Sequence, residues 1–204
     1  VSIRLLGGVP LIFGSSFQGA AADYGIGFCL AAGGTPYAWD FSRGTRPYDA
    51  FAVRYSGLLW NPEYAFVIDP DAIVRVMADG GREVWWRDWT KCGKAPDGSP
   101  RVILHLFNPP GARMIRDTTN MPPPLTHLRV ELTGVTGTNA PATWLLTCDK
   151  EPQVRRLQPI SQDGKVLVDI DSLEHWGVLV VEGAELKPLL ASVKTSPRPD
   201  GTSP

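Results

Sequence analysis

Several acidic side chains in this sequence are candidates for catalysis, because two carboxylates can act as the general acid and the general base of a hydrolysis. For a glycosidic bond, the two carboxyl groups stand about 5 Å apart when the configuration is retained and about 6.5–9.5 Å apart when it is inverted. Most candidates here fall on the polar side of an alternating strand or in a turn, which predicts solvated carboxylates. They are Asp88, Glu131, Asp169, Asp171 and Glu174, with Asp40 standing apart in an aromatic stretch.

Three tryptophans that lie close together are the second chemical feature. Sugar rings place their C–H faces on exposed aromatic rings, so Trp85, Trp86 and Trp89 could form a glycan platform. If residues 84–89 form a strand, however, Trp85 and Trp89 lie on the side opposite to Val84 and Trp86, because side chains alternate. We therefore predict Trp86 in the core of a β-rich part and Trp85 or Trp89 against a helical part, rather than one platform.

The histidines and cysteines do not show the spacing of a metal site, and no metal is predicted. The histidines are expected to be surface or structurally satisfied side chains, and the cysteines to be small buried hydrophobes. No cofactor is predicted either, because the glycines of GGTPYAWD and GSSFQG lack the spacing of the phosphate-binding loops. The residues concerned are His105, His127, His175, Cys29, Cys92 and Cys148.

The overall composition is that of an ordinary globular chain. Its 204 residues are 43% hydrophobic and 20% charged, with a formal net charge of -1. Interspersed charges of both signs give no basic patch, so nucleic acid is not predicted as a partner. The apolar runs are far shorter than the roughly 20 residues that span a bilayer, so no membrane partner is predicted. The chain begins VSIRLLGG, without an initiator methionine or a signal segment, which suggests that the natural N-terminus is missing and leaves the compartment open.

The elements that must position these groups change character near Pro70. Before it, residues 18–32 predict an alanine-rich helix that stops at a Gly-Gly pair. Residues 47–60 predict a second helix, because their apolar side chains repeat at helical spacing. Between the two helices, TPYAWDF at 35–41 predicts a short strand. The first part of the chain is therefore expected to run helix, strand, loop, helix.

After Pro70 the pattern alternates, which predicts an antiparallel β-sandwich of about eight strands. Turn signals at 79–81, 95–100 and 162–164 separate the strands, and Trp176 is expected to fill the core before the last of them. The final residues, rich in Lys, Pro, Ser and Thr, predict a flexible tail. The predicted strands are 73–77, 84–89, 102–107, 127–132, 143–147, 154–157, 165–170 and 178–182.

Taken in order, several stretches resemble the C-terminal part of dextranase-like glycoside hydrolases and related α-glucan-active enzymes. They run from about Ala20 to Gly183: LAAGGTPYAWDF, RPYDAFAVRYSGLLW, VWWRDW, RVILHLFN, LRVELTG and GKVLVDIDSLEHWGVLVVEG. In that family a (β/α)₈ barrel is followed by an antiparallel sandwich. The resemblance implies an α+β chain with an α/β barrel remnant at 1–70, the β-sandwich at 71–186 and a tail at 187–204.

The resemblance also implies a function and its limits. A complete barrel takes about 250 residues, so the chain is expected to be a C-terminal fragment or subunit whose sandwich stabilises a catalytic barrel. The family's catalytic carboxylates lie on earlier strands and align with no residue here, so the catalytic residues stay unknown and no hydrolysis by the isolated chain is expected. Two alternatives stay open: a non-catalytic carbohydrate-binding or adhesion module, and a stand-alone hydrolase with an unrecognised site.

Two residues follow from the resemblance as candidates for substrate binding. If TPYAWDF is the last barrel strand, Trp39 and Asp40 lie at its C-terminal end, the face on which barrel enzymes build their sites. A role for Asp40 in helix capping, or in an ion pair with Arg43 or Arg46, competes with this interpretation. An oligo- or polysaccharide is accordingly one expected partner.

The apolar faces of the two predicted helices point to a protein partner. In a whole barrel these faces are covered by the sheet and by neighbouring helices. Exposing several hundred Å² of apolar surface costs on the order of 10 kcal/mol, which is comparable with the stability of a domain. Residues 1–70 are therefore expected to lie against the remainder of the same enzyme or against a second copy of the chain.

Overall fold

The first part of the chain is a β–α–β unit followed by two short helices. The computed structural model describes residues 11–13, 19–37, 46–136, 141–183 and 185–186. Strands β1 (Leu11–Phe13) and β2 (Thr35–Tyr37) are parallel, and helix α1 (Ala20–Ala31) lies between them in the chain. The predicted helix at 18–32 and the predicted strand are thus confirmed within the described residues.

Helix α1 ends where the sequence predicts. Gly33 has a φ of 70°, a left-handed conformation that glycine adopts without the penalty that a Cβ would bring. Its amide donates to the carbonyl of Leu30, and the amide of Gly34 donates to that of Cys29. These bonds satisfy carbonyls that the end of the helix leaves without an intrahelical partner.

The second predicted helix is two helices. Helix α2 (Arg46–Arg54) and helix α3 (Ser56–Leu59) are separated at Tyr55, whose φ of -112° and ψ of 23° are not helical. Gly57 has a lower helix propensity than any of residues 48–55, so the break falls beside a weak helix former.

Among the described residues, twelve strands follow, and ten of them form two antiparallel sheets. The larger sheet has six strands in the order β10-β9-β13-β6-β5-β3, and the smaller has four in the order β11-β12-β7-β4, while β8 and β14 pair only with each other. The strands are β3 (Ala65–Phe66), β4 (Val74–Met77), β5 (Thr90–Lys94), β6 (Pro100–Phe107), β7 (Leu125–Thr133), β8 (Val135–Thr136), β9 (Ala142–Cys148), β10 (Pro152–Leu157), β11 (Ile160–Gln162), β12 (Lys165–Leu173), β13 (Trp176–Glu182) and β14 (Glu185–Leu186).

The two sheets bury a shared core, which makes the β part a sandwich. Alternate residues of the six-stranded sheet, such as Leu104 and Leu179, meet alternate residues of the four-stranded sheet, such as Val130 and Val168. All four side chains are fully buried. The antiparallel sandwich predicted from the alternating pattern is confirmed, with ten strands in its two sheets instead of about eight.

Residues 84–89 do not form the predicted strand, and this prediction was wrong. Trp85 makes one isolated bridge to Phe107, and strand β5 pairs with β6 from Thr90 and Leu104 onward. Between these two pairs the chain advances five residues, from 85 to 90, while β6 advances only three, from 107 to 104. The surplus residues curl into the 3₁₀ turn Arg87–Trp89.

The predicted turns at 79–81, 95–100 and 162–164 are confirmed. The last of these turns joins β11 to β12 through Asp163 and Gly164. Both residues have positive φ, as a two-residue type I′ hairpin turn requires. Strand β3 pairs with β5, so the six-stranded sheet already includes residues before Pro70. The tail predicted at 187–204 lies outside the described residues.

A second core joins the helices to the outer face of the six-stranded sheet, which is the face turned away from the sandwich. Along β6, Leu104 and Leu106 point into the sandwich, whereas Ile103 and Phe107 point outward to the helices. The outward residues contact apolar side chains of α1, α2 and α3. The six-stranded sheet is therefore buried on both faces over part of its area.

Candidate functional site

The two residues predicted to bind substrate, Trp39 and Asp40, lie outside the described residues. Their assignment therefore stays a prediction. Within residues 19–37, 46–136 and 141–183, several clusters of aromatic, charged and polar side chains are candidates for a functional site.

The tryptophans at 85, 86 and 89 are structural. Trp86 is 2% exposed and lies in the sandwich core, while Trp85 and Trp89 contact the second core on the opposite side. The ring of Trp89 stacks on Phe28 of α1, with centroids 4.9 Å apart and planes within 6°. The predicted division of the three tryptophans between two sides is confirmed, and they do not form a sugar platform.

Trp176 is the centre of the second core, as predicted. Its side chain is 1% exposed, and its ring lies parallel to Phe107, with centroids 5.9 Å apart. Phe51 of α2 contacts the same ring at 5.0 Å. Helix α1 approaches closely because position 27 is glycine: a Cβ there would lie 3.0 Å from the ring of Phe107.

The carboxylates proposed for acid–base chemistry are mostly engaged in surface ion pairs. Asp169 accepts two hydrogen bonds from Arg129, at 2.7 and 2.9 Å, and this pairing lowers the pKa of the carboxyl. Glu131 pairs with Lys165 at 2.7 Å, and Asp171 with Arg155 at 3.5 Å. Asp88 is exposed. These four are solvated or paired carboxylates, as the alternating pattern predicts.

A carboxyl that the sequence did not single out has a pKa near neutrality. Asp149 follows β9 and lies with Glu174 on a polar groove of about 210 Å³ at the edge of the sandwich. Although Asp149 is exposed as a residue, partial burial of its carboxyl by the groove, followed by repulsion from Glu174, raises its pKa to about 6. The only sequence signal was an aspartate directly after an apolar strand, which is common in turns.

Polar groups are also buried between the helices and the sheet. The Tyr48 hydroxyl of α2 lies 3.3 Å from Nδ1 of His175, and the ring of Tyr24 meets that histidine edge-on at 4.4 Å. Burial lowers the pKa of His175 to about 4, so its ring is neutral at pH 7. Burial also raises the pKa of Asp23, an effect that the neighbouring Tyr48 hydroxyl partly offsets.

His105 differs from the expectation of a satisfied or exposed histidine. Its ring is fully buried and stacks on Trp176 at 5.9 Å, within 7° of parallel. Neither ring nitrogen has a hydrogen-bond partner among the described residues. Burial, followed by repulsion from Lys91, lowers the pKa of His105 well below its usual value. His127, in contrast, is exposed as expected.

The three cysteines are buried or half-buried free thiols. Cys29 and Cys148 are buried as predicted, and Cys92 is half-buried. Burial raises the pKa of Cys92 to about 11 and is the main cause that raises that of Cys148 to about 12. Because the thiolate is the reactive form, neither of these two is a nucleophile at neutral pH.

Asn108 holds three segments together at the end of β6. Its side-chain amide donates to the carbonyls of Pro123 and Glu174, at 3.0 and 2.8 Å, and its Oδ1 accepts from Arg82 at 3.3 Å. The Tyr24 hydroxyl donates to the main-chain carbonyl of Asn108 at 2.6 Å. The strand end HLFN thus fixes the proline-rich loop, the β12–β13 turn and helix α1 relative to one another.

A second groove opens where α2 and α3 leave the outer face of the six-stranded sheet uncovered. It encloses about 280 Å³ and has mainly apolar walls with a charged end, formed by Arg101 and Glu182 as an ion pair. We call it the Trp144 groove; the lining residues that bear on its chemistry are Tyr55, Leu58, Trp144, Val180, Arg101 and Glu182. The sequence pattern marked Trp144 only as one residue of a strand.

Two negative findings apply to the described ranges. No group of three or more His, Cys, Asp or Glu side chains among the described residues could hold a metal ion. Within the same part of the chain, no helix has the length and apolar character needed to cross a membrane.

Comparison with known proteins places the fold. No protein-family model matches the chain, and no curated protein matches it. Among solved structures it is similar to a cycloisomaltooligosaccharide glucanotransferase from Paenibacillus sp., determined in complex with cycloisomaltoheptaose, with a TM-score of 0.57 at 16% sequence identity. That match covers 80% of this chain and 27% of the glucanotransferase chain. The fold of this chain is therefore related to part of a larger carbohydrate-active enzyme.

A second solved structure is less similar. It is alpha-L-fucosidase isoenzyme 2 from Paenibacillus thiaminolyticus, with a TM-score of 0.35 at 18% identity, covering 55% of this chain and 15% of the fucosidase. Similarity at this level does not establish a shared fold.

Proposed function

We propose that the chain is the C-terminal part of a carbohydrate-active enzyme of the glycoside hydrolase kind, acting on an α-glucan, in which the β-sandwich stabilises a catalytic barrel. The observation that carries the proposal is the match to the glucanotransferase, which spans 80% of this chain but 27% of that enzyme. A fold shared at this level of identity identifies the architecture, and the activity is our inference from it.

The β–α–β unit supports the barrel part of the proposal. Parallel strands β1 and β2 with α1 between them have the connectivity of one barrel repeat. Two strands do not form a stable parallel sheet by themselves, because such sheets are normally covered by helices on both faces or closed into a barrel. We infer that further strands and helices of the same enzyme flank this unit.

The second core supports the stabilising role of the sandwich. Phe28 of α1 and Phe51 of α2 insert their rings among Trp89, Phe107 and Trp176 on the outer face of the six-stranded sheet. Burying one such aromatic side chain stabilises by about 1.5–3 kcal/mol. Helices packed in this way cannot move independently of the sandwich, so the sandwich fixes the position of the barrel elements attached to it.

The partner that we propose for the helical part is the remainder of the same enzyme. Within this chain, eight of the twelve residues of α1 are buried. Helix α2 leaves the apolar side chain of Val53 at 78% exposure. A second copy of the chain covering this side is the competing arrangement.

The test is the native polypeptide in its source cells, detected with an antibody against this chain. We expect a polypeptide much larger than 22.2 kDa that co-purifies with hydrolysis or transfer of α-glucans. A native polypeptide of this size that binds glycans without cleaving them would instead establish the carbohydrate-binding or adhesion module. One that cleaves them and loses activity in Asp40→Asn would establish a stand-alone hydrolase.

A further inference from the structure

The Trp144 groove combines an aromatic floor with an apolar wall. Trp144 of β9 is half-buried and lies beside Val180 of β13, on the outer face of the sheet. Leu58 of α3 and Tyr55 also line the groove. At about 280 Å³ the space lies just below the ~300–1,000 Å³ range of small-molecule sites, so it suits a single small unit of a ligand.

The charged end of the groove is electrically neutral as a whole. Arg101 donates from Nη2 to Oε1 of Glu182 and from Nη1 to the Tyr64 hydroxyl, the latter at 2.8 Å. Because the two charges compensate each other, this end gives no net attraction to an anion or a cation. It does offer charged donors and acceptors side by side, which form the stronger hydrogen bonds found in proteins.

A ligand that matches both ends must be neutral, with one apolar face and a polar edge. A pyranose ring has this form: its axial C–H bonds make an apolar face that packs on the negative face of an indole, and its hydroxyls lie around the edge. Vicinal hydroxyls can both donate to a carboxylate and accept from a guanidinium.

We propose that the Trp144 groove binds one sugar unit of a neutral gluco-oligosaccharide, with a ring face on Trp144 and hydroxyls on Arg101 and Glu182. The choice of a glucose pyranose as the ligand rests on the proposed function, whereas the preference for a neutral ligand with an apolar face and a polar edge follows from the groove. The groove lies on the sandwich, so it would hold a glycan at a distance from any barrel site.

The test is a titration of the ¹⁵N-labelled chain with maltoheptaose and isomaltoheptaose, observed at the indole N–H resonances. We expect Trp144 to shift with a millimolar dissociation constant and Trp89, covered by Phe28, to stay unchanged. Trp144→Phe identifies the resonance. Oligogalacturonate, which carries a charge on every ring, is expected to bind at least tenfold more weakly.

Variants locate the site. Trp144→Ala removes the aromatic ring under the sugar and Glu182→Gln removes the charged acceptor of its hydroxyls, so each should weaken binding about tenfold or more. Arg156→Gln is the matched control, because Arg156 is the cross-strand neighbour of Trp144 but is exposed and does not line the groove. Glu182→Gln preserves side-chain size, so it tests the proposal even if Trp144→Ala proves unstable.

Several outcomes would overturn the proposal. They are binding that leaves Trp144 unshifted, equal affinity in Glu182→Gln, tighter binding of the charged oligosaccharide, and no binding of either neutral probe. A Trp144 shift that depends on protein concentration alone would show a second copy in the groove and would overturn it too. None of these results bears on the size or activity of the native polypeptide, so the proposed function is tested separately.

Discussion

Replacing Asn108 by alanine removes the side-chain amide that links the proline-rich loop to the β12–β13 turn, and it keeps the main-chain carbonyl that binds Tyr24 of α1. Asn108 is fully buried, and the variant leaves the carbonyl of Glu174 without its donor, while the carbonyl of Pro123 loses one hydrogen bond and keeps the one from Arg82 at 2.9 Å. Each hydrogen bond contributes about 0.5–1.5 kcal/mol, and an unsatisfied buried group costs about 1–3 kcal/mol. We therefore expect a loss of about 2–4 kcal/mol in the free energy of unfolding, which for a chain of this size lowers Tm by roughly 4–16 °C.

Urea unfolding followed by tryptophan fluorescence measures this loss, and the same loop offers a matched control. Asn120 is exposed, and its amide reaches only the neighbouring Thr119 hydroxyl, at 3.4 Å, so Asn120→Ala should change stability by less than about 0.5 kcal/mol. Asn108→Asp keeps the side-chain size but loses the donors, and it should cost at least as much as Asn108→Ala. Equal small losses in Asn108→Ala and Asn120→Ala would refute the reasoning.

Three further predictions concern pH, backbone contact and activity. Because the pKa of His175 is lowered to about 4, the unfolded chain binds a proton near pH 6.5 and the folded chain does not, so the free energy of unfolding is full above pH 6.5 and falls by up to about 3 kcal/mol towards pH 4. Unfolding measured at pH 6.5 and at pH 4 should show a smaller difference in His175→Gln than in the wild type, and an unchanged difference in His127→Gln. The raised pKa of Asp149 opposes this trend equally in the wild type and in both variants. Gly93→Ala places a Cβ 2.1 Å from the carbonyl oxygen of Glu63 and should cost about 3 kcal/mol in urea unfolding, an expectation that a loss under about 1 kcal/mol would refute. The isolated chain should release no reducing sugar from dextran or starch, and turnover that survives repurification would contradict this.

The sequence predicts the strands of the sandwich because burial of one face of a strand makes apolar side chains repeat at every second residue. Val102, Leu104 and Leu106 point to one core and Ile103 to the other, as the pattern of β6 predicts. The helix at the start of the chain was equally clear, since a Gly-Gly pair marked its end. These features depend only on local sequence.

Features that depend on contacts between residues distant in the chain could not be predicted from the sequence. Strand β5 carries Lys91 and Gly93, which break the apolar pattern, and it becomes a strand because the edge of β6 and the residues around Glu63 enclose it. The 3₁₀ turn at Arg87–Trp89 follows from the pairing of its neighbours with β6, not from its own residues.

The candidate sites were the least predictable part. The raised pKa of Asp149 comes from a groove shared with Glu174, 25 residues further along the chain. The Trp144 groove joins residues of a helix to residues of four strands. A single sequence contains no signal for such convergence, because each residue lies in an ordinary local pattern.

An experimental structure of the intact native polypeptide tests the central claim most directly. We predict that β1 and β2 belong to a larger parallel sheet, with further parallel strands beside them, and that α1 and α2 lie between this sheet and the sandwich. We also predict that the exposed Val53 of α2 is covered by residues of the same polypeptide. A native polypeptide in which β1 and β2 remain an isolated pair, with no barrel attached, would contradict both expectations.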